Sequence, residues 1–226
     1  MSDYLTVEYS DEKRPFTDYP SKLANYIINT FNLVPGQSLL EIGCGRCELL
    51  SHFTNFGFDT YGIDNAESAA NFAESANAKF ELIEYKQQMT KPIFDGKKFD
   101  IIFTKSFVEH VADPLSFFQW CHELLTNGGK IITLTPDWES NYKIFYDDFT
   151  HVKPFTDISL NQILNASGYI DVKVFKFRQL PVTWNNNFML LASKITSIFA
   201  NHRHKNKWLR WSRELMIASI AIKKKQ

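Results

Sequence analysis

The 226-residue chain is short of cysteine, glycine and proline, with three, nine and eight of each. It has no uninterrupted apolar run near the roughly 18 residues that a spanning helix needs. Three thiols, Cys44, Cys47 and Cys121, cannot all pair, which excludes a secreted disulfide framework and predicts reduced cysteines. The first residues lack a basic stretch followed by an apolar one, so no export leader is read there and a cytoplasmic location is expected. Excess charge is missing as well: Lys plus Arg and Asp plus Glu stand at 25 each. A chain without a net field cannot hold nucleic acid by overall charge, so nucleic acid is not expected as a partner and basic contacts must be local.

What the chain does have is apolar material, 44% hydrophobic and 15% aromatic, enough to bury one sizeable core. One domain over 1–226 is expected, with a polar, aromatic flap at 1–20 and an insertion at 179–213. Between Ser38 and Pro136, short β-rich runs alternate with longer helical ones, which predicts parallel βαβ units in a doubly wound α/β fold. Strands are expected at 38–43, 60–64, 80–85, 99–104, 130–135, 170–177 and 215–222. Helices are expected at 21–31, 47–56, 66–76, 114–125 and 156–167. Asn127-Gly128-Gly129 should stop the fourth of these helices, and Gly168 the fifth.

At the end of the first strand stands Glu41-Ile-Gly-Cys-Gly-Arg-Cys47. Gly43 and Gly45 allow a sharp turn and close approach of a ligand, in the crevice where open parallel sheets bind one. A dinucleotide fingerprint would need a third glycine at position 48, which is Glu48, so an NAD-binding oxidoreductase is disfavoured. Asp64, ending the second strand, can accept hydrogen bonds from ribose hydroxyls, or can merely cap the following helix. Cys44 and Cys47 spell C-x-x-C, but no second pair follows at ligand spacing, so no metal is expected.

These segments together with Tyr61-Gly-Ile-Asp64, Phe99-Asp-Ile-Ile-Phe-Thr104, Glu109-His-Val-Ala-Asp-Pro114 and Gly128-Gly-Lys-Ile-Ile-Thr-Leu-Thr-Pro136 resemble the successive motifs of class I S-adenosylmethionine-dependent methyltransferases. The resemblance covers residues 38–136 in order and implies a Rossmann-like, mostly parallel seven-stranded sheet with S-adenosylmethionine as cofactor and S-adenosylhomocysteine as product. It implies that Glu41 reaches the methionine amino group and that Gly43, Cys44 and Gly45 pass beneath the methionine moiety. Asp64 and Asn65 would serve the ribose side, Gln88 and Met89 the adenine, and Thr104 and Ser106 the sulfonium. The chain departs from the family at Cys47, where a third glycine is frequent, and at Gln88, where an acidic residue is.

Methyl transfer to a hydroxyl needs a base, and His110 and His151 both follow strands at the expected crevice edge. Asp147-Asp-Phe-Thr-His-Val-Lys-Pro-Phe-Thr156 resembles a segment of methyltransferases associated with polysaccharide and glycan biosynthesis, which makes His151 the first choice and Asp148 its orienter. Glu109-His110 is also similar to the Glu–His metal motif of RNA 3′-end methyltransferases, but Ser106 and Val111 stand where further ligands belong. In the insertion, Arg203, Lys205, Lys207, Arg210 and Arg213 interleave with Trp208 and Trp211. They suit a phosphate- or nucleotide-linked glycan, or a peripheral membrane contact through 186–213, or simply a solvated face. The expected function is O-methylation of a sugar or related small hydroxylated acceptor; the rival is a cofactor-binding regulatory or scaffolding protein without turnover.

Overall fold

The computed structural model describes residues 4–5, 12–84 and 92–225. Seven strands form one sheet in the order β3-β2-β1-β4-β5-β7-β6: β1 Ser38–Ile42, β2 Asp59–Asp64, β3 Lys79–Leu82, β4 Phe99–Lys105, β5 Leu125–Pro136, β6 Tyr169–Phe177 and β7 Met216–Lys223. The first five run parallel, and β7 enters antiparallel between β5 and β6. Every residue of β1 is buried, as a central parallel strand covered on both faces requires.

Helices supply that cover. On one face lie α1 (Tyr19–Phe31), α2 (Glu48–Asn55) and α3 (Ala69–Ser75), whose Leu23, Ile27, Leu50, Phe53 and Ala73 pack with Leu39, Ile101 and Phe103 of the sheet. On the other face lie α4 (Pro114–Leu124) and, beyond the short α5 (Trp138–Asn141), α6 (Asp157–Ala166); Phe117, Phe118, Leu160 and Leu164 meet Leu40, Ile42, Ile102 and Ile131. Local sequence fixes the starts of both outer helices. Asp113 caps α4 by accepting from the Ser116 N–H at 3.2 Å, ahead of Pro114, and Thr156 closes a capping box with Ser159 on α6.

Several boundaries differ from expectation, among them the start of α3 at Ala69 rather than Ala66. The third strand ends at Leu82 rather than Tyr85, and 85–91, which include Gln88 and Met89, lie outside the described residues. Strand β5 begins at Leu125 rather than Lys130. Asn127-Gly128-Gly129 is absorbed as a bulge, since Phe99 pairs with Leu125 while Ile101, only two residues on, already pairs with Lys130. Between β6 and β7 stand two helices, α7 (Asn187–Phe199) and α8 (Lys207–Arg213), rather than strand.

The core carries a direct test. Phe117 is fully buried, its ring 5.5 Å from that of Phe107 and 5.4 Å from that of Phe118. Phe117→Ala is expected to cost about 3–5 kcal/mol in urea unfolding, whereas Phe56→Ala, at a 39%-exposed position, should cost under about 1 kcal/mol.

Candidate active site

The sheet order reverses between β1 and β4, and the loops leaving their carboxyl ends flank the crevice of a doubly wound sheet. After β1, Gly43 turns at φ +74° and Gly45 at +49°. A Cβ at Gly43 would stand 2.6 Å from the Phe107 ring, so only glycine fits beneath that side chain. Gly62, inside β2, admits Cys44 equally closely, since a Cβ there would meet the Cys44 sulfur at 2.9 Å. The Cys44 thiol therefore packs against β2, and what this residue can offer a ligand is backbone. Cys47 is buried and left-handed at φ +54°, so the position where the family often has glycine keeps a glycine-like backbone.

Asp64 is 1% exposed, and its carboxylate is engaged on two sides: one oxygen accepts from the Gly45 N–H at 2.8 Å and the other from the Ala66 N–H at 3.0 Å. The Tyr4 hydroxyl donates to the same carboxylate at 3.1 and 3.2 Å, and Leu5 packs against Ala66 and Ala69, so this part of the flap closes on the loop. Asp64 thus ties the two loops together, and its oxygens also hold the Tyr4 hydroxyl. Burial raises its pKa, and the bonds from Gly45, Ala66 and Tyr4 pull it back. Asn65 beside it is exposed.

Glu41 is buried, and its Oε2 has no hydrogen-bond partner among the described residues. Burial pushes its pKa up to about 8, against the pull of the Lys105 ammonium. An orphaned carboxyl oxygen under a loop that only glycine can form is what a bound ammonium group would satisfy, so the residues present fit the cofactor. Thr104 is fully buried and its hydroxyl has no partner among the described residues, while Ser106, at φ +52°, is exposed. Lys105 escaped the sequence reading. Its ammonium acts on both Glu41 and Glu109, and burial lowers its pKa. The signal available was a lysine closing an otherwise apolar run.

The two histidines, read as alternatives from sequence, form one site with ring centroids 4.8 Å apart. Glu109 brings them together. Its backbone carbonyl accepts from the N–H groups of Val152 and Lys153 at 2.9 and 3.0 Å, drawing the later loop onto the earlier one. Its fully buried side chain accepts from Thr135 at 3.0 Å, leaves Oε1 without a partner among the described residues, and is pushed by burial to a pKa of about 7. His110 Nδ1 meets the Thr150 hydroxyl at 2.9 Å, and burial together with the neighbouring His151 lowers its pKa.

His151 corrects the expected orienter. Its Nδ1 lies 2.6 Å from the Phe145 carbonyl, which can only accept, so Nδ1 carries the proton and Nε2 the lone pair. Asp148 stands 3.9 Å from Nε2 and hydrogen-bonds Thr150 instead. Glu109, His110 and His151 together also offer ligand atoms within 4.8 Å of one another. Around them Phe149 is 92% exposed, and Tyr146 and Val152 are exposed too.

The insertion's tryptophans are committed to packing. Trp184 stacks near Tyr26 at 4.7 Å and Trp211 near Tyr19 at 5.4 Å, while Trp208 donates to Thr196 at 3.3 Å. Arg203 makes a two-point contact with Asp147 at 2.6 Å. A cavity of about 220 Å³ between Phe16, Arg46 and Phe72 lies on the flank of the loop, and Glu41, Asp64, His110 and His151 are not among the residues that line it.

The buried carboxyls set a pH dependence. Glu41 and Glu109 keep protons in the folded chain above the ordinary value of 4.5, so their stabilisation is complete below about 4.5 and is lost as pH rises through about 7 and 8. Urea unfolding of the ligand-free protein should show stability falling from pH 5 to 8.5, and Glu41→Gln with Glu109→Gln should flatten that fall. A double variant as steep as wild type would contradict the assignment.

Residues 12–174 match the methyltransferase-domain family. The chain is 34% identical over 117 residues to the ubiquinone biosynthesis O-methyltransferase of Nitrobacter winogradskyi, covering 49% of this chain and 44% of that protein. It is 35% identical over 105 residues to its counterpart in Ruegeria pomeroyi, covering 44% and 41%. The chain thus matches less than half the length of these curated relatives. In structure it resembles an S-adenosylmethionine-dependent methyltransferase of Archaeoglobus fulgidus, with a TM-score of 0.66 and 20% identity over 97% of this chain and 99% of that one. It also resembles Haemonchus contortus phosphoethanolamine N-methyltransferase 2 in complex with S-adenosylmethionine, with a TM-score of 0.67 and 16% identity over 99% and 60%. The chain belongs to the methyltransferase-domain family, and its fold is that of solved S-adenosylmethionine-dependent methyltransferases.

Proposed function

We propose that this protein moves a methyl group from S-adenosylmethionine to an oxygen of a small, largely apolar hydroxylated acceptor, with His151 as the general base. The observation that carries the reading is the His151 ring, fixed by the Phe145 carbonyl so that an unprotonated Nε2 stands beside His110 at the crevice edge. The names of the relatives, O-methyltransferases, support oxygen as the atom methylated. The expected sugar or nucleotide-linked acceptor has less behind it. Arg203 is engaged by Asp147, Trp184 and Trp211 by the tyrosines of α1, and the rim of the histidine site is Phe149, Tyr146 and Val152.

In this reading Glu41 would hold the amino group, the backbone of Gly43, Cys44 and Gly45 the methionine moiety, and Asp64 the ribose, with Thr104 nearest the reacting end. Gln88 and Met89 remain the proposed adenine contacts. Bound there, the cofactor supplies an electrophilic methyl group on a sulfonium. With it bound, the acceptor hydroxyl would give its proton to His151 Nε2 as its oxygen takes the methyl group, with S-adenosylhomocysteine as the leaving group. Asp148, 3.9 Å from that nitrogen, then stabilises the imidazolium. His110, held neutral by burial, orients the acceptor. Most of the rate gain comes from alignment, and the base contributes about 100- to 10,000-fold.

A second reading has its own observation. The unpartnered Glu109 Oε1 and the ligand atoms of His110 and His151 could hold a divalent cation that polarises the acceptor oxygen. Chelation separates the two: under the base reading EDTA leaves turnover unchanged, and loss restored by added magnesium or zinc transfers these residues to a metal.

His151→Ala should lower turnover on a phenolic acceptor by about 100-fold or more with cofactor affinity nearly intact, His110→Ala having the smaller effect. Should His110→Ala abolish turnover while His151→Ala stays active, their roles exchange. Binding without transfer of labelled methyl to any hydroxylated acceptor would favour the regulatory alternative. Asp64→Ala should weaken S-adenosylmethionine in calorimetry by about 1.5–3 kcal/mol, and an unchanged affinity would remove Asp64 from the site.

A further inference from the structure

Helix α7 is built inside out. Phe188, Leu191, Ile195, Ile198 and Phe199, at i, i+3, i+7, i+10 and i+11, share one face of an α-helix and are 53–81% exposed. The opposite face, which seats the helix on the protein, mixes the partly buried Met189 and Leu190 with small and polar residues. Ser193 is fully buried, donates to Ser212 at 2.9 Å and accepts from Arg178 at 3.1 Å; Thr196 accepts from Trp208. Arg213 caps the last turn through the carbonyls of Ser197 and Ala200 at 3.1 and 3.2 Å. A helix packed in water presents the reverse arrangement, so this face is shaped for an apolar neighbour.

Charge says which neighbour. Over 179–213 the chain carries Lys194, Arg203, Lys205, Lys207, Arg210 and Arg213 and no Asp or Glu, although the whole chain is neutral. Lys194 borders the apolar stripe, and Arg203, Lys205 and Lys207 are exposed in the turn just after it. Apolar side chains flanked by cations are the pattern of a helix lying in the plane of an anionic lipid surface, where the rings and branches enter the acyl boundary and the ammonium groups meet phosphates. A second copy fits less well, because a twofold contact would bring the exposed Lys194, Lys205 and Lys207 of both copies together. No helix among the described residues is long and apolar enough to cross a membrane, which leaves attachment from one side. The family match ends at residue 174, so this element lies beyond it.

We propose that α7 and the basic turn after it form a peripheral docking surface for an anionic lipid bilayer, with Phe188, Leu191, Ile195, Ile198 and Phe199 inserted and Lys194, Lys205 and Lys207 on the headgroups. The Arg203–Asp147 pair ties that turn to the loop carrying His151, so the acceptor side of the crevice opens close to the lipid surface. The docking surface stands whether or not the proposed acceptor is correct, because its readout is binding rather than turnover.

Co-sedimentation of the full chain with phosphatidylcholine vesicles containing phosphatidylglycerol tests it. Wild type should pellet with these vesicles, bind pure phosphatidylcholine at least about tenfold more weakly, and lose affinity as salt rises from about 0.1 to 0.5 M. F188S/L191S/I195S and, separately, K194E/K205E/K207E should each reduce partitioning about tenfold or more, with circular dichroism and S-adenosylmethionine affinity unchanged. Wild type left in the supernatant overturns the proposal, as do variants that pellet like wild type. Sedimentation velocity showing a dimer that F188S/L191S/I195S dissolves, with no vesicle binding, assigns the face to a second copy and overturns it as well.

Discussion

The buried Asp64 carboxylate is the constraint on which the cofactor side of the molecule turns. One oxygen holds the Gly45 N–H and the other the Ala66 N–H, so the loops leaving β1 and β2 are fixed to a single rigid group at the sheet's edge. Because the group is almost wholly out of water, its desolvation must be offset by those bonds, and removing any donor would leave a charge uncompensated. The same oxygens accept the Tyr4 hydroxyl, which shows that the anchor keeps a face open to a third donor. The structural role of Asp64 and the binding role proposed for it would use one arrangement.

A second buried carboxyl organises the acceptor side. Glu109 follows β4, so its position is set by the sheet, yet its carbonyl takes the two N–H groups that carry His151 into place. The side chain meets Thr135 of β5, locking three segments of the chain at one point. The Lys105 ammonium lowers the pKa of both carboxyls against the effect of burial, coupling the Glu41 and Glu109 sides through charge. Catalysis by positioning needs such rigidity, since small displacements of an aligned hydroxyl cost large factors in rate.

Beyond the sheet, polarity is distributed in an unusual way. The insertion spends its tryptophans on the tyrosines of α1 and its small polar residues on the interface, leaving aliphatic and aromatic side chains outward. The rim of the histidine site is likewise apolar at Phe149. Both features fit a molecule that meets poorly soluble partners, and neither follows from the neutral overall charge, which averages a basic insertion with an acidic remainder.

The sequence by itself determined the alternation of strands and helices, the glycine turn after β1 and Asp64 at the end of β2. Each of these is local: apolar period, the backbone freedom of Gly43 and Gly45, and spacing along one βα unit. It misplaced the start of β5, because whether Asn127-Gly128-Gly129 ends a helix or forms a bulge depends on the pairing of Phe99 and Ile101 across the sheet. It treated His110 and His151 as rivals and gave His151 the wrong orienter, since forty residues separate what the Glu109 carbonyl joins. It passed over Lys105, whose meaning comes from two carboxyls on other segments. Only the tertiary structure decided these, because hydrogen bonds and charges between distant segments depend on positions in space that no local pattern encodes.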